Sequence, residues 1–136
     1  PSYLLSPKPG EKVLDVCAGL GGKTSHLAEI KGDKGLLVAL DISHWRLLSL
    51  MKNIHRLGIK GVSPLVFDAS AGLASLFRLK FDKILVDAPC SGLGVLSRHP
   101  DGKWNRGEHD INRLAAVQKS ILQRVIPVLK EGGRML

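Results

Sequence analysis

Three aspartates stand at the ends of short apolar runs: Asp41 closes GLLVALD, Asp68 closes VSPLVFD and Asp87 closes FDKILVD. A further run, KVLDVC, leads into the glycine-rich stretch DVCAGLGGKT of residues 15–24. Carboxylates accept hydrogen bonds and attract cations, and glycine lets backbone approach a ligand closely. Lys23, at the end of the glycine stretch, is placed to pair with Asp87 and organise such a site. Cys90 follows Asp87 after an alanine and a proline. A cysteine is commonly a small buried hydrophobe, but one directly after a strand-end acid points toward chemistry.

These groups meet only if the chain folds to bring them together. Residues 12–17, 35–41, 62–68 and 81–87 are short, rich in Val, Leu and Ile and nearly continuous in hydrophobicity, as strands buried on both faces of a parallel sheet are. Helices fill the intervals: residues 22–29; residues 43–57, with Ser43 as N-cap, Leu47, Leu50, Met51 and Ile54 on one stripe and Gly58 as the stop; and a short one over residues 71–79. A longer helix opens at Asp110, carries Ile111, Leu114, Ala115, Ile121, Leu122 and Val125 at helical spacing, frays at Pro127 and ends at Gly132–Gly133. Residues 1–10 read as a proline-rich loop, and residues 134–136 as the beginning of a fifth strand. The alternation predicts an α/β fold, a doubly wound, mostly parallel sheet of Rossmann-like type that is incomplete at its C-terminal end.

In such sheets ligands bind at the carboxyl ends of the strands, where the topology changes direction. Asp41, Asp68 and Asp87 then line one edge beside the glycine loop. A single aspartate at such a place is usually a turn cap; three in register beside a flexible loop favour a binding site. A phosphate-binding P-loop needs glycine where Cys17 stands, and the dinucleotide fingerprint needs glycine at Thr24. Asp15, Gly19 and Gly21 fit D-x-x-x-G-x-G instead. Asp41 is suited to accept from both hydroxyls of a ribose and Asp68 from an adenine amino group. A cleft of carboxylates prefers a cation to a polyphosphate. S-adenosylmethionine, an adenosine carrying a sulfonium, meets these demands.

Four segments, VLDVCAGLGGKTSHLAE, ALDIS, DAPCSGLGVLSRHPDGKW and LKEGGRML, resemble motifs of the RNA 5-methylcytosine methyltransferases, the Sun group with its bacterial 16S ribosomal RNA members. The likeness runs from about Gly10 to Leu136. The loop departs from the family pattern, which has alanine and proline where this chain has Gly19 and Leu20. The resemblance implies a class I S-adenosylmethionine-dependent methyltransferase core in which Cys17, Ala18, Gly19, Leu20, Gly21, Gly22, Lys23, Asp41, Arg46, Asp68 and Asp87 contact the cofactor or its surroundings. It further implies that a cysteine thiolate adds to carbon 6 of cytosine so that carbon 5 can accept a methyl group. Cys90, with Asp87 and Lys23 beside it, belongs to that machinery and serves product release. The attacking cysteine belongs to a Thr-Cys motif after the fifth strand, which these 136 residues do not include; the chain is therefore expected to bind cofactor without methylating. Cys17, at the base of the loop, reads as a packing residue.

Twenty Lys and Arg against twelve Asp and Glu leave a net charge of +8, a balance that attracts polyanions. Arg98, His99, Lys103, Trp104 and Arg106 form a basic stretch with one aromatic, a candidate RNA contact, although for Trp104 itself packing of the loop onto the body is the preferred reading. Ribosomal RNA is the favoured partner and transfer RNA the second. The 136 residues suit one domain, and no run reaches the ~20 apolar residues of a membrane span. With two cysteines the chain suits the cytoplasm, and its five histidines lack metal-ligand spacing. A serine or cysteine hydrolase around Cys90 fails, because the nucleophile elbow needs glycine at Pro89 and Leu93. The remaining rival is a non-catalytic module of the same fold that binds RNA or a protein. An uncovered fourth-strand edge and an uncovered face of the last helix would make the chain self-associate.

Overall fold

The computed structural model describes residues 1–32, 34–90 and 108–136. Helix α1 (Ser2–Leu5) precedes strand β1 (Val13–Val16). There follow α2 (Gly22–Lys31), β2 (Leu37–Asp41), α3 (His44–Arg56), β3 (Val62–Val66), β4 (Phe81–Val86), α4 (Glu108–Val125) and β5 (Leu129–Met135). The strands form one parallel sheet in the order β3-β2-β1-β4-β5. The chain builds outward from β1 to β3, then returns to the other side of β1 for β4. The switch point therefore lies between β1 and β4, above the loop that follows β1.

Burial explains the order. Every residue of β1 and β2 is buried, as the continuous apolar runs require. One face carries Leu14, Val16, Val38, Leu40, Phe81 and Ile84, covered by Ile121 and Val125 of α4. The other face meets α1 and α2 through Leu5, Leu27 and Ala28, and α3 through Leu47, Leu50 and Ile54. The Ser43 side chain accepts from the Arg46 N–H at 3.4 Å, so α3 starts where its cap predicts.

Five expectations need correction. β3 is not buried on both faces: it is the sheet's edge and largely exposed. Pro64, which cannot donate to a ladder, sits in it opposite Ala39, a place only an edge strand offers. The last helix does not run to Gly132–Gly133: it ends at Val125, a 3-10 turn spans Ile126–Val128, and the two glycines lie inside β5. There the register jumps, with Phe81 opposite Leu129 but Lys83 opposite Arg134. The glycines accommodate this bulge, since a Cβ on Gly133 would lie 2.8 Å from the Lys130 carbonyl oxygen. The fifth strand thus begins well before Arg134. β5 accordingly covers the outer edge of β4, and α4 packs through Val117, Ile121 and Val125 while leaving Ile111 and Leu122 of the same helix exposed. Residues 71–79 form no α-helix: a 3-10 turn spans Ala69–Ala71, and the Leu76 and Phe77 N–H groups both return to the Leu73 carbonyl. Finally, residues 1–10 are not all loop, because α1 forms ahead of Pro7 and Pro9 and buries Leu5 completely.

Helix α3 also shapes the loop after β1. Gly21 takes a φ of +89°, and a Cβ there would lie 2.6 Å from Leu50 Cγ. Asn53 Nδ2 donates to the Leu20 carbonyl at 3.4 Å. We expect Gly21→Ala to cost about 2–4 kcal/mol in urea unfolding, from left-handed strain plus overpacking against Leu50. A loss below about 0.5 kcal/mol, the range of a neutral surface change, would show that α3 does not clasp the loop.

Candidate functional site

The parallel register brings the strand ends level. Val16 pairs with Leu40 on one side and Val86 on the other, and Asp41 pairs with Val66. The backbone continues the alignment past the strands: Ala18 N–H donates to the Leu40 carbonyl, Asp87 N–H to that of Val16 and Phe67 N–H to that of Asp41. Asp41, Asp68 and Asp87 therefore gather at one edge, as expected. All three line a cavity of about 230 Å³ together with Cys17, Arg46, Ile42, Phe67 and Ala69. A second cavity of about 430 Å³ adjoins it at Cys17 and Asp87 and is lined by Asp15, Ala18, Gly19, Leu20, Gly22 and Lys23.

Each acid is held differently. Asp41, 3% exposed, accepts from the Gly19 N–H at 2.9 Å through one oxygen and from the Ser43 N–H at 2.8 Å through the other. It thereby joins the loop after β1 to the turn that starts α3. Each carboxylate oxygen keeps capacity for a further donor from the cavity. Asp68 caps the 3-10 turn, accepting from Ser70 N–H at 2.9 Å and Ser70 Oγ at 2.7 Å through Oδ1. Capping and lining the cavity are thus the same residue's two roles. Asp87 pairs with Lys23 Nζ, as the sequence suggested. Both side chains are well exposed, so the pair adds little stability and serves to orient the two groups.

Of the loop residues named from the sequence, Cys17, Ala18, Gly19, Leu20, Gly22 and Lys23 line the cavities, whereas Gly21 lines neither and packs against Leu50. Gly19 has a φ of +57°, which glycine adopts without the strain an alanine carries there. Cys17, partly buried, packs against the core on one side and lines both cavities on the other. Burial, then the surrounding carboxylates led by Asp41, push its thiol up to about 11. It keeps its proton at neutral pH and is no nucleophile. Cys90 is exposed and just beyond Pro89, which lines the first cavity. Gln118 Nε2 of α4 holds that stretch by donating to the Pro89 carbonyl at 2.8 Å. Arg98, His99, Lys103, Trp104 and Arg106 lie outside the described residues.

Two kinds of residue were given no place in the site from the sequence, although Asp15 was read as part of the loop motif. Ile42 and Phe67 flank the first cavity; an apolar residue beside a strand-end acid reads as core, although Ile42 is 65% exposed. Asp15 is fully buried in the floor of the second cavity. Thr24 Oγ1 donates to its Oδ2 at 2.6 Å, while Oδ1 has no partner among the described residues. That orphaned acceptor, with Asp41, Asp68 and Asp87, makes a lining that fits a ligand rich in donors and positively charged. Among the described residues no group of three or more His, Cys, Asp or Glu could hold a metal ion.

Burial raises the Asp15 carboxyl from 3.8 to about 6; the Thr24 hydrogen bond opposes the rise and the Asp87 charge adds to it. A folded value above the unfolded one means that the folded chain holds the extra proton between about pH 4 and 6. The Asp15 contribution to stability is full below that window and lost as the pH rises through it. The difference corresponds to about 3 kcal/mol at most. We expect Asp15→Asn to gain on the parent by up to that amount between about pH 4 and 7 in urea unfolding. A stability difference that stays constant over that range would contradict the burial of the charge.

The family model described as 16S rRNA methyltransferase RsmB/F matches residues 2–136. A ribosomal RNA small subunit methyltransferase B of Yersinia pseudotuberculosis is 44% identical over 130 residues, which cover 96% of this chain and 30% of that protein. The chain thus spans about a third of the length of such relatives. Among solved structures, NSun6 from Pyrococcus horikoshii, determined with the S-adenosylmethionine analogue SFG, is 36% identical at a TM-score of 0.88. The match covers 98% of this chain and 34% of that one. A methyltransferase homolog from the same organism is 35% identical at a TM-score of 0.83, over 99% of this chain and 41% of that one. With nearly all of its length matched by the family model and the sheet shared with these structures, the chain belongs to the 16S rRNA methyltransferase RsmB/F family.

Proposed function

We propose that this chain is the cofactor-binding core of a cytoplasmic enzyme that methylates carbon 5 of cytosine in ribosomal RNA, with S-adenosylmethionine as donor. The observation that carries this reading is the convergence of Asp41, Asp68 and Asp87 with the loop after β1 on two adjoining cavities. The names of the relatives support the ribosomal substrate, and the SFG-bound neighbour supports the cofactor.

The residues divide the work by their chemistry. Asp41 is placed to take the ribose hydroxyls, Ile42 and Phe67 to enclose the adenine, and Asp68 to accept from its amino group. Arg46 borders the same cavity. The orphaned oxygen of Asp15 and the backbone of the loop suit an ammonium and its neighbouring polar groups. Bound there, S-adenosylmethionine supplies a methyl group activated by a positive sulfonium. Lys23 holds Asp87 beside that position and partly neutralises it. Cys90, exposed at the same edge, is the thiol that the family resemblance assigns to product release. The protonated thiol of Cys17 leaves the attack on cytosine to another residue. Arg98, Lys103, Trp104 and Arg106 are the proposed RNA contacts of the segment beyond Cys90.

Calorimetric titration tests the reading. The parent chain should bind S-adenosylmethionine, and Asp41→Ala should weaken binding by about tenfold or more, from loss of a buried charged acceptor. ATP and NAD should not compete, because the carboxylates repel their phosphates. Preferred uptake of either, or an Asp41→Ala variant that binds like the parent, would refute it.

A further inference from the structure

No acidic residue stands between Asp41 and Asp68, a stretch that carries Arg46, Lys52, Arg56 and Lys60. Most of that charge lies on α3. The helix buries Leu47, Leu50 and Ile54 and turns Trp45, Leu48, Ser49, Lys52, His55 and Arg56 to solvent. Trp45, Lys52 and Arg56 are spaced seven and four residues apart, so they fall on one row of the helix. At 1.5 Å per residue the row is about 16 Å long.

Two features separate this face from an ordinary solvated one. Solvated helix faces usually interleave acids and bases at i,i+4; this one carries one sign only. Among the described residues, Lys52 and Arg56 have no ion-pair partner. The second feature is Trp45, which is 77% exposed and whose one ring neighbour among the described residues is His44, edge-on at 5.9 Å. A tryptophan left in water does nothing for the core, and such residues are enriched where a partner binds. Trp45 also precedes Arg46, which lines the first cavity, so the row starts at the rim of the proposed cofactor site and runs away from it.

We propose that the outer face of α3 docks a single-stranded stretch of RNA, with Trp45 stacking on a base and Lys52 and Arg56 meeting phosphates. This rests on the RNA reading above and adds to it a surface outside the segment beyond Cys90. An unpaired strand is favoured over a duplex because its bases are open to stacking.

The test uses a fluorescein-labelled, single-stranded oligoribonucleotide and fluorescence anisotropy. The doubly substituted Lys52→Glu/Arg56→Glu chain should bind it at least about tenfold more weakly, with a salt dependence shallower by about 1.4 in log–log slope. Trp45→Ala should bind about fivefold more weakly or worse, with that slope unchanged. Both variants should keep the parent's S-adenosylmethionine affinity, which shows that they are folded. RNA binding equal to the parent's in both variants would overturn the proposal, as would loss of binding to phosphatidylserine vesicles in place of RNA. A parent chain that binds no RNA would overturn the ribosomal RNA reading itself, and this face with it.

Discussion

The site depends on one buried carboxylate. Asp41 takes an N–H from Gly19 with one oxygen and an N–H from Ser43 with the other. Those donors belong to two separate loops, the one after β1 and the one that starts α3. Removing either bond would leave a buried polar group unsatisfied, which costs more than the bond itself contributes. The loops are therefore set relative to one another before any ligand arrives. Leu50 and Asn53 of α3 grip the same loop from behind. The result is a cavity wall whose shape is determined by the fold and not by the ligand.

Charge is distributed with the same economy. The chain carries +8 overall, yet the edge of the sheet concentrates Asp15, Asp41, Asp68 and Asp87 around two cavities, with Lys23 and Arg46 between them. A cleft of one sign on a body of the other separates two recognition tasks. The acidic cleft suits a cationic nucleoside, whereas the basic exterior suits a polyanion. In the proposed enzyme both reactants are then brought to one edge without competing for the same surface.

Much of this was legible in the sequence, for local reasons. β1, β2 and β4 announce themselves as apolar runs because they are central strands, and α3 shows a cap, a stripe and a stop. The acids were legible because each closes such a run. What the sequence concealed depends on tertiary contact. Pro64 marks β3 as an edge only once its neighbours are known. Gly132 and Gly133 look like a helix terminator but open a bulge whose partner is Asp82 of a distant strand. The apolar run at residues 71–79 scores as helix, yet its Leu73 and Phe77 anchor a turn on the core. Ile42 and Phe67 resemble core residues, and the orphaned oxygen of Asp15 is a matter of packing that no pattern of residue types records.

The most direct measurement is a crystal structure of the chain grown with S-adenosylhomocysteine. The account predicts the ribose hydroxyls on Asp41 and the adenine between Ile42 and Phe67, with both backbone bonds to Asp41 retained. A nucleoside seated elsewhere, or an Asp41 carboxylate turned away from Gly19 and Ser43 to reach it, would contradict the claim that the fold sets this cavity in advance.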